Sequence, residues 1–236
     1  MSSAQLEYLN QDVWKDGIFD NKVVFCTGGS GSICSAQVRA LVHLGANACI
    51  IGRNVEKTRR MAANIATTRL GAEVMVSLQS MCATSKTCKL QRGQCARDLG
   101  GIDFVTIHIP ATSRSDHLRR TVSTLGSYNT VKATRPYLIE SAAKCSKGGF
   151  LPNRTHCRTG WSLNESSERR LGTGGRVIFI SATMHYTGIP FQTRVATAKA
   201  GVDALSNNIA LEFGPLDVTS KSDALIKLAP RAVTQR

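Results

Sequence analysis

Thr27-Gly28-Gly29-Ser30-Gly31-Ser32-Ile33-Cys34 has the composition of a phosphate-binding turn. The stretch follows a short apolar run, Val23, Val24, Phe25 and Cys26, and precedes a helical pattern from Ala36 to Leu44. Glycines at a strand-to-helix turn let the backbone bend sharply and approach a pyrophosphate. The helix N-terminus behind them offers N–H donors and the positive end of its dipole. An ordinary glycine-rich turn would need no ligand, but the strand–turn–helix context favours a dinucleotide. A second apolar run, Ala48 to Ile51, ends at Gly52, Arg53 and Asn54. An acidic side chain there would take a ribose 2′-hydroxyl, whereas an arginine welcomes a 2′-phosphate. The expected cofactor is therefore NADPH rather than NADH, held by Thr27 to Ile33 with Arg53 and Asn54. The other reading of Arg53 is an exposed arginine at the start of a helix.

Periodicity gives the strands and helices around this turn. Strands are expected over Lys22–Thr27, Asn47–Gly52 and Gly71–Ser77, and helices over Ala36–Leu44 and from Asn54, as N-cap, to about Arg69. This β-α-β-α-β order argues for a parallel sheet. Gln79–Arg97 shows little apolar period, and Pro110–Thr124 is polar and basic. A fourth strand fits Ile102–Ile109, and a long helix fits Leu125–Ala143 with Pro136 as a kink. Lys144–Gly175, rich in Gly, Ser, Asn and Arg, reads as a loop insertion. Arg176–Ser181 reads as a strand and Gln192–Phe213 as a helix; the residues beyond start a strand without finishing it.

Length and composition bound the rest. With 42% hydrophobic residues the chain is enough for one large α/β domain, residues 21–236, after an N-terminal extension of residues 1–20. No apolar run is long enough to span a membrane, and no signal-peptide pattern is present, which argues for a cytoplasmic or other intracellular protein. The eight cysteines form no Cys-x-x-Cys pair. Cys82, Cys88 and Cys95 are spaced poorly for zinc, so no metal site is expected. The net charge is +14. Residues 79–120 carry seven basic and three acidic side chains, residues 144–176 seven and two, and residues 219–236 four and one. The excess thus sits in the aperiodic segments without interleaved aromatics, which argues against nucleic acid as a partner.

Asn21-Lys-Val-Val-Phe-Cys-Thr-Gly-Gly29 followed by Ile50-Ile-Gly-Arg53 resembles the short-chain dehydrogenase/reductase family. Leu125-Gly-Ser-Tyr-Asn-Thr130, Arg176-Val-Ile-Phe-Ile-Ser-Ala-Thr-Met-His-Tyr-Thr-Gly188, Ala196-Thr-Ala-Lys199-Ala-Gly-Val-Asp-Ala-Leu205 and Ala210-Leu-Glu-Phe-Gly-Pro215 narrow the resemblance to the fungal peroxisomal 2,4-dienoyl-CoA reductases. The resemblance implies a Rossmann-type doubly wound parallel sheet, strand order 3-2-1-4-5-6, truncated at its C-terminal end. It also implies hydride transfer from NADPH to a fatty dienoyl-CoA in unsaturated fatty-acid β-oxidation, a homo-oligomer, and a peroxisomal location. Most of the family carries Tyr-x-x-x-Lys. Here Val195 stands at the tyrosine and Ala182 at the usual serine, a loss the peroxisomal dienoyl-CoA reductases share at the tyrosine. By resemblance Lys199 holds the nicotinamide ribose and sets the local field. Tyr186, in the loop where the carboxyl ends of strands gather ligands, either contacts substrate or packs; His185 beside it reads as a loop histidine.

The chain also departs from that pattern. Ser32 and Cys34 replace family glycines, and Thr106–Ser115 replaces the family's Asn-Ala-Ala-Gly-Asn-like turn. The family's acidic proton donor has no counterpart in Thr121-Val-Ser123-Thr-Leu125. The adenine-contacting Asp-Val pair is missing, and the chain ends Val-Thr-Gln-Arg without a peroxisomal tripeptide. Such abrupt loss and recovery over 79–95, 106–124 and 220–236 is what a shifted reading frame or a mis-spliced transcript produces; a degenerate paralogue produces it too. The rival functions are another short-chain reductase of unknown substrate and a non-catalytic cofactor-binding or interaction protein. Turnover of a dienoyl-CoA, against that of simple ketones, separates them.

Overall fold

The structure, a computed structural model, describes residues 16–77, 85–109, 118–147 and 175–225. Six strands form one sheet: β1 (Val23–Thr27), β2 (Asn47–Ile51), β3 (Val74–Ser77), β4 (Phe104–Ile107), β5 (Arg176–Ala182) and β6 (Thr219–Leu225). Their order is β3-β2-β1-β4-β5-β6, and every pairing is parallel. The order reverses between β1 and β4, so a crevice opens at the carboxyl ends of those two strands. The helices are α1 (Ser32–His43), α2 (Val55–Ala66), α3 (Ser85–Leu99), α4 (Leu118–Lys147), the four-residue α5 (Met184–Thr187) and α6 (Thr193–Phe213).

Strand side chains alternate between two cores, as a sheet covered on both faces requires. Val24, Cys26, Ala48 and Ile50 pack with Cys34, Val38 and Val42 of α1 and Ala62 and Ile65 of α2. Phe25, Cys49, Val105, Ile107 and Phe179 pack with Cys95 of α3, Leu138 of α4, and Val202, Ile209 and Phe213 of α6. Burying each large apolar side chain contributes about 1.5–3 kcal/mol. These two layers fix the heights at which the strand ends deliver their turns.

The structure revises several boundaries. Helix α1 starts at Ser32, four residues before its apolar pattern, because the glycine turn itself runs into the first helical turn. Helix α2 ends at Ala66 rather than Arg69, and β3 begins at Val74 rather than Gly71. A whole helix, α3, occupies a segment with no apolar period. Its inward side chains are Gln91, Cys95 and Leu99, with the Arg92 guanidinium lying over the Tyr137 ring at 5.5 Å and donating to the Ala133 carbonyl. Helix α4 begins before Leu125 and runs through Lys144–Lys147, which the sequence places in the loop insertion. The rest of that insertion lies outside the described residues, as do residues 1–15 of the N-terminal extension. Within the described part of the extension, Phe19 packs edge-on against Phe104 at 5.2 Å. The described parts of the segments that read as foreign thus take regular structure in α3, β4, α4 and β6. Among the described residues no helix is long and apolar enough to cross a membrane.

Candidate active site

The glycine turn leaves the carboxyl end of β1, and each of its glycines answers a specific contact. Gly28 has φ +73°, and a Cβ on it would lie 2.5 Å from the His108 carbonyl oxygen. Gly29 donates its N–H to the Ile51 carbonyl at 3.1 Å, and a Cβ there would lie 2.6 Å from the Ile50 Cβ. Gly31 is the N-cap of α1, with its own N–H on the Gly28 carbonyl at 2.9 Å. No side chain caps α1, so the N–H groups of its first turn, from Ser32, Ile33 and Cys34, point out of the helix without a side-chain acceptor. Thr27, buried at the strand end, accepts a bond from the His108 N–H at 3.2 Å and so ties the turn to β4. Close-approach glycines in front of an uncapped helix start form a cradle of a shape and polarity that suit an anion.

The second half of the cradle comes from β2. A Cβ on Gly52 would lie 2.9 Å from the Ser30 hydroxyl and would collide with that of Thr58, so β2 ends directly beside the turn. Asn54 caps α2, its side chain accepting from the Lys57 N–H at 2.8 Å. Thr58 donates to the Asn54 carbonyl at 2.7 Å and fixes the cap from behind. Arg53 stands exposed between Gly52 and this cap.

Lys199 is carried into the interior by the crossing of α4 and α6. Thr124 donates to the Ala198 carbonyl at 3.3 Å, and a Cβ on Gly201 would lie 2.9 Å from the Thr124 hydroxyl oxygen, so the two helix backbones approach closely. The inward side of α4 is lined with hydroxyls that return to its own carbonyls, Ser127 to Ser123 at 2.7 Å and Thr130 to Gly126 at 2.8 Å, which keeps that side thin. Lys199 is left 5% exposed, its Nζ donating to the Ile180 carbonyl at 2.5 Å. Burial lowers its pKa to about 8, against the opposing pull of Asp203 and Cys34. The Cys34 thiol is in turn lowered to about 6 by a hydrogen bond with Cys26, then by His108 and Lys199, while burial opposes. The turn and the lysine therefore share one electrostatic neighbourhood.

At the carboxyl end of β5, His185 sits on α5 with Nδ1 2.7 Å from the Ala182 carbonyl oxygen and Nε2 2.8 Å from Asp203 Oδ2. Tyr186 stacks edge-on against it, ring centroids 4.5 Å apart, and is 62% exposed. The structure links Tyr186 to Lys199 through His185 and Asp203, one helical turn beyond the lysine. Sequence reasoning passed over two members of this group. Asp203 lies in the helical stretch that carries the resemblance but was given no role, although its spacing of four from Lys199 puts both on one side of α6. His108 stands where the family turn is lost, and only the fold brings it over Gly28. Ser181 and Thr106, at the ends of β5 and β4, keep buried hydroxyl oxygens without a partner.

No protein-family model matches the chain. Over 237 residues it is 30% identical to the (3E)-enoyl-CoA-producing peroxisomal 2,4-dienoyl-CoA reductase of Saccharomyces cerevisiae, covering 96% of this chain and 68% of that protein. It is 24% identical over 221 residues to the peroxisomal 2,4-dienoyl-CoA reductase of Danio rerio, covering 87% of this chain and 61% of that one. The chain thus spans between three fifths and seven tenths of these relatives' lengths. Among solved structures, NAD+-bound xylitol dehydrogenase superposes with a TM-score of 0.66 at 16% identity, over 88% of this chain and 70% of that one. Levodione reductase superposes with a TM-score of 0.67 at 18% identity, over 87% and 71%. At these identities the structural likeness is one of fold.

Proposed function

The chain belongs to the short-chain dehydrogenase/reductase family, and from that premise we propose that it is an NADPH-dependent 2,4-dienoyl-CoA reductase of unsaturated fatty-acid β-oxidation. The observation that carries the reading is Lys199 buried beside the dinucleotide turn, with Val195 and Ala182 in place of the tyrosine and serine that alcohol oxidation in this family relies on. The 30% identity to the yeast reductase points the same way.

The cradle fits a phosphorylated nicotinamide dinucleotide. The uncapped start of α1 and the glycines that a Cβ would block suit the pyrophosphate, Ser30 and Arg53 suit a 2′-phosphate, and Lys199 suits the nicotinamide ribose. The group supplies a hydride when bound. The chain's own residues do the rest. The Lys199 ammonium keeps positive charge at the reacting end, where a dienolate would spread negative charge onto the thioester oxygen. Tyr186, exposed at the carboxyl end of β5, offers an O–H to the substrate and is our candidate acid for the α-carbon. The product is a 3-enoyl-CoA. We place the reaction in the peroxisome, the compartment its relatives are named for, and assign the outer side of the α4/α6 pair to a second copy of the chain.

The testing experiment is a thermal shift with NADPH and with NADH, followed by turnover of a 2,4-dienoyl-CoA. A ligand bound only by the native state raises the melting temperature, by RT ln(1 + [L]/Kd) in free energy. NADPH is expected to raise it and NADH to leave it nearly unmoved, and the dienoyl-CoA is expected to be reduced while simple ketones are not. A second reading, a non-catalytic cofactor-binding protein, draws on the lack of any carboxyl group in Thr121–Leu125. It predicts the NADPH shift without turnover.

A further inference from the structure

The missing carboxyl group in Thr121–Leu125 leaves a reduction that ends with a proton on carbon in need of a supported acid. The environment of Tyr186 supplies one. The imidazole beside it is gripped at both nitrogens. The Ala182 carbonyl oxygen, 2.7 Å from Nδ1, can only accept, so Nδ1 carries a hydrogen. Nε2 faces a carboxylate oxygen at 2.8 Å, so a second proton is shared between Nε2 and Asp203 Oδ2. The other oxygen of Asp203 accepts from the Ser222 hydroxyl of β6, which stops the carboxylate from turning away. The charged and titratable groups around the ring are Lys199 and Asp203 from α6 and Tyr186 from α5; β6 contributes the neutral Ser222. The His185 ring is therefore held at both nitrogens and cannot rotate, with the Tyr186 ring at 80° to it and 4.5 Å away.

Resting on the reductase reading, we propose that His185 and Asp203 are positioning residues for Tyr186, a clamped imidazolium–carboxylate pair that holds the phenol for proton donation. Hydride adds with its two electrons at the terminal carbon of the diene, and the displaced pair moves towards the α-carbon and thioester oxygen. The Tyr186 O–H bond breaks as the α-carbon–hydrogen bond forms. The phenolate left behind lies beside the His185 cation and regains its proton from water, so one hydride and one proton are consumed per double bond reduced. Asp203 keeps the second proton on the imidazole and carries the same charge support one helical turn back to Lys199.

The experiment has two readouts on the intact protein. Long-range nitrogen–proton NMR of the His185 ring reports its protonation without reference to any reaction. Steady-state kinetics on dienoyl-CoA compares the wild type with His185→Gln, Asp203→Asn, Asp203→Glu and Tyr186→Phe. The expected result is a ring protonated at both nitrogens near neutral pH in the wild type and at one in Asp203→Asn. Tyr186→Phe, His185→Gln and Asp203→Asn are expected to lose about 10–100-fold in kcat with KM and the NADPH thermal shift unchanged, and Asp203→Glu to recover part of the loss. A neutral, singly protonated ring in the wild type overturns the clamp whatever the enzyme does. A Tyr186→Phe variant with full kcat overturns the donor role while leaving the reductase reading in place. A wild type that binds NADPH yet leaves dienoyl-CoA untouched overturns the reductase reading, and with it the clamp's catalytic purpose.

Discussion

Lys199 is the residue whose chemistry and stability pull in opposite directions. Its usual value of 10.5 is lowered to about 8 by burial, so near neutral pH it still carries a charge that the interior resists. Between about 8 and 10.5 the unfolded chain holds the proton and the folded chain does not, so stability rises with pH across that window. Below it the cost of the buried charge is at its full extent, on the order of 3 kcal/mol at about 1.4 kcal/mol per pH unit. Lys199→Met is therefore expected to be more stable than the wild type in urea at pH 7, by an amount of that order. The gain should shrink towards zero by pH 10. The same variant should lose about 10²–10³-fold in turnover, because it removes the positive charge facing the developing dienolate. Urea titrations at the two pH values, set beside the kinetic assay, check both halves. A wild type that is the more stable of the two at pH 7 would show that the bond to the Ile180 carbonyl outweighs the burial of the charge.

Among the elements, α2 shows how tightly the sequence can specify a boundary that also builds the site. Asn54 supplies the acceptor for Lys57, and Gly52, two residues before it, lies against Ser30. Asn54→Ala is expected to cost about 1 kcal/mol in urea, typical of a lost cap, and to weaken NADPH binding more than Asn54→Asp, which keeps the acceptor. Thermal shifts of the two variants with NADPH separate the effects. The elements built on such signals were legible in the sequence: the apolar runs of β1, β2 and β5, the cap of α2 and the glycine turn; the strand order came from the family resemblance. Those built on other forces were not. Helix α3 turns Gln91 and an arginine stacked on Tyr137 towards the core beside Cys95, and hydrophobic periodicity counts neither the glutamine nor the arginine as apolar. The start of α4 buries Ser123 and Ser127, whose hydroxyls are satisfied by carbonyls, so it too carries little apolar signal. In the site, the glycine turn is legible from its own residues, and Lys199 is picked out only through the family resemblance. The role of His185 depends on Ala182 and Asp203, which come together only when α6 packs along β5.

For the whole molecule, the remaining question is which surface a second copy would use. Among the described residues the outer strands of the sheet are β3 and β6. Strand β6 is polar, with Ser220 and Ser222 turned to α6 and a Lys221–Asp223 ion pair at 3.7 Å, and charges of this kind discourage edge-to-edge pairing. The α4/α6 pair differs. Among its exposed residues are Leu125 and Tyr128 from α4 and Leu211, at 77%, from α6. Exposed large apolar groups suit an association surface, and two-fold pairing would use the same groups on both copies. A net charge of +14 opposes any such approach at low salt, so pairing should tighten as ionic strength screens the repulsion. Sedimentation equilibrium at micromolar concentration is expected to give a dimer that strengthens with added salt. Leu211→Glu should give a monomer with an unchanged NADPH thermal shift, since Leu211 lies two helical turns and more beyond Asp203. A wild type that sediments as a monomer at every salt concentration would show that this apolar surface is not self-complementary.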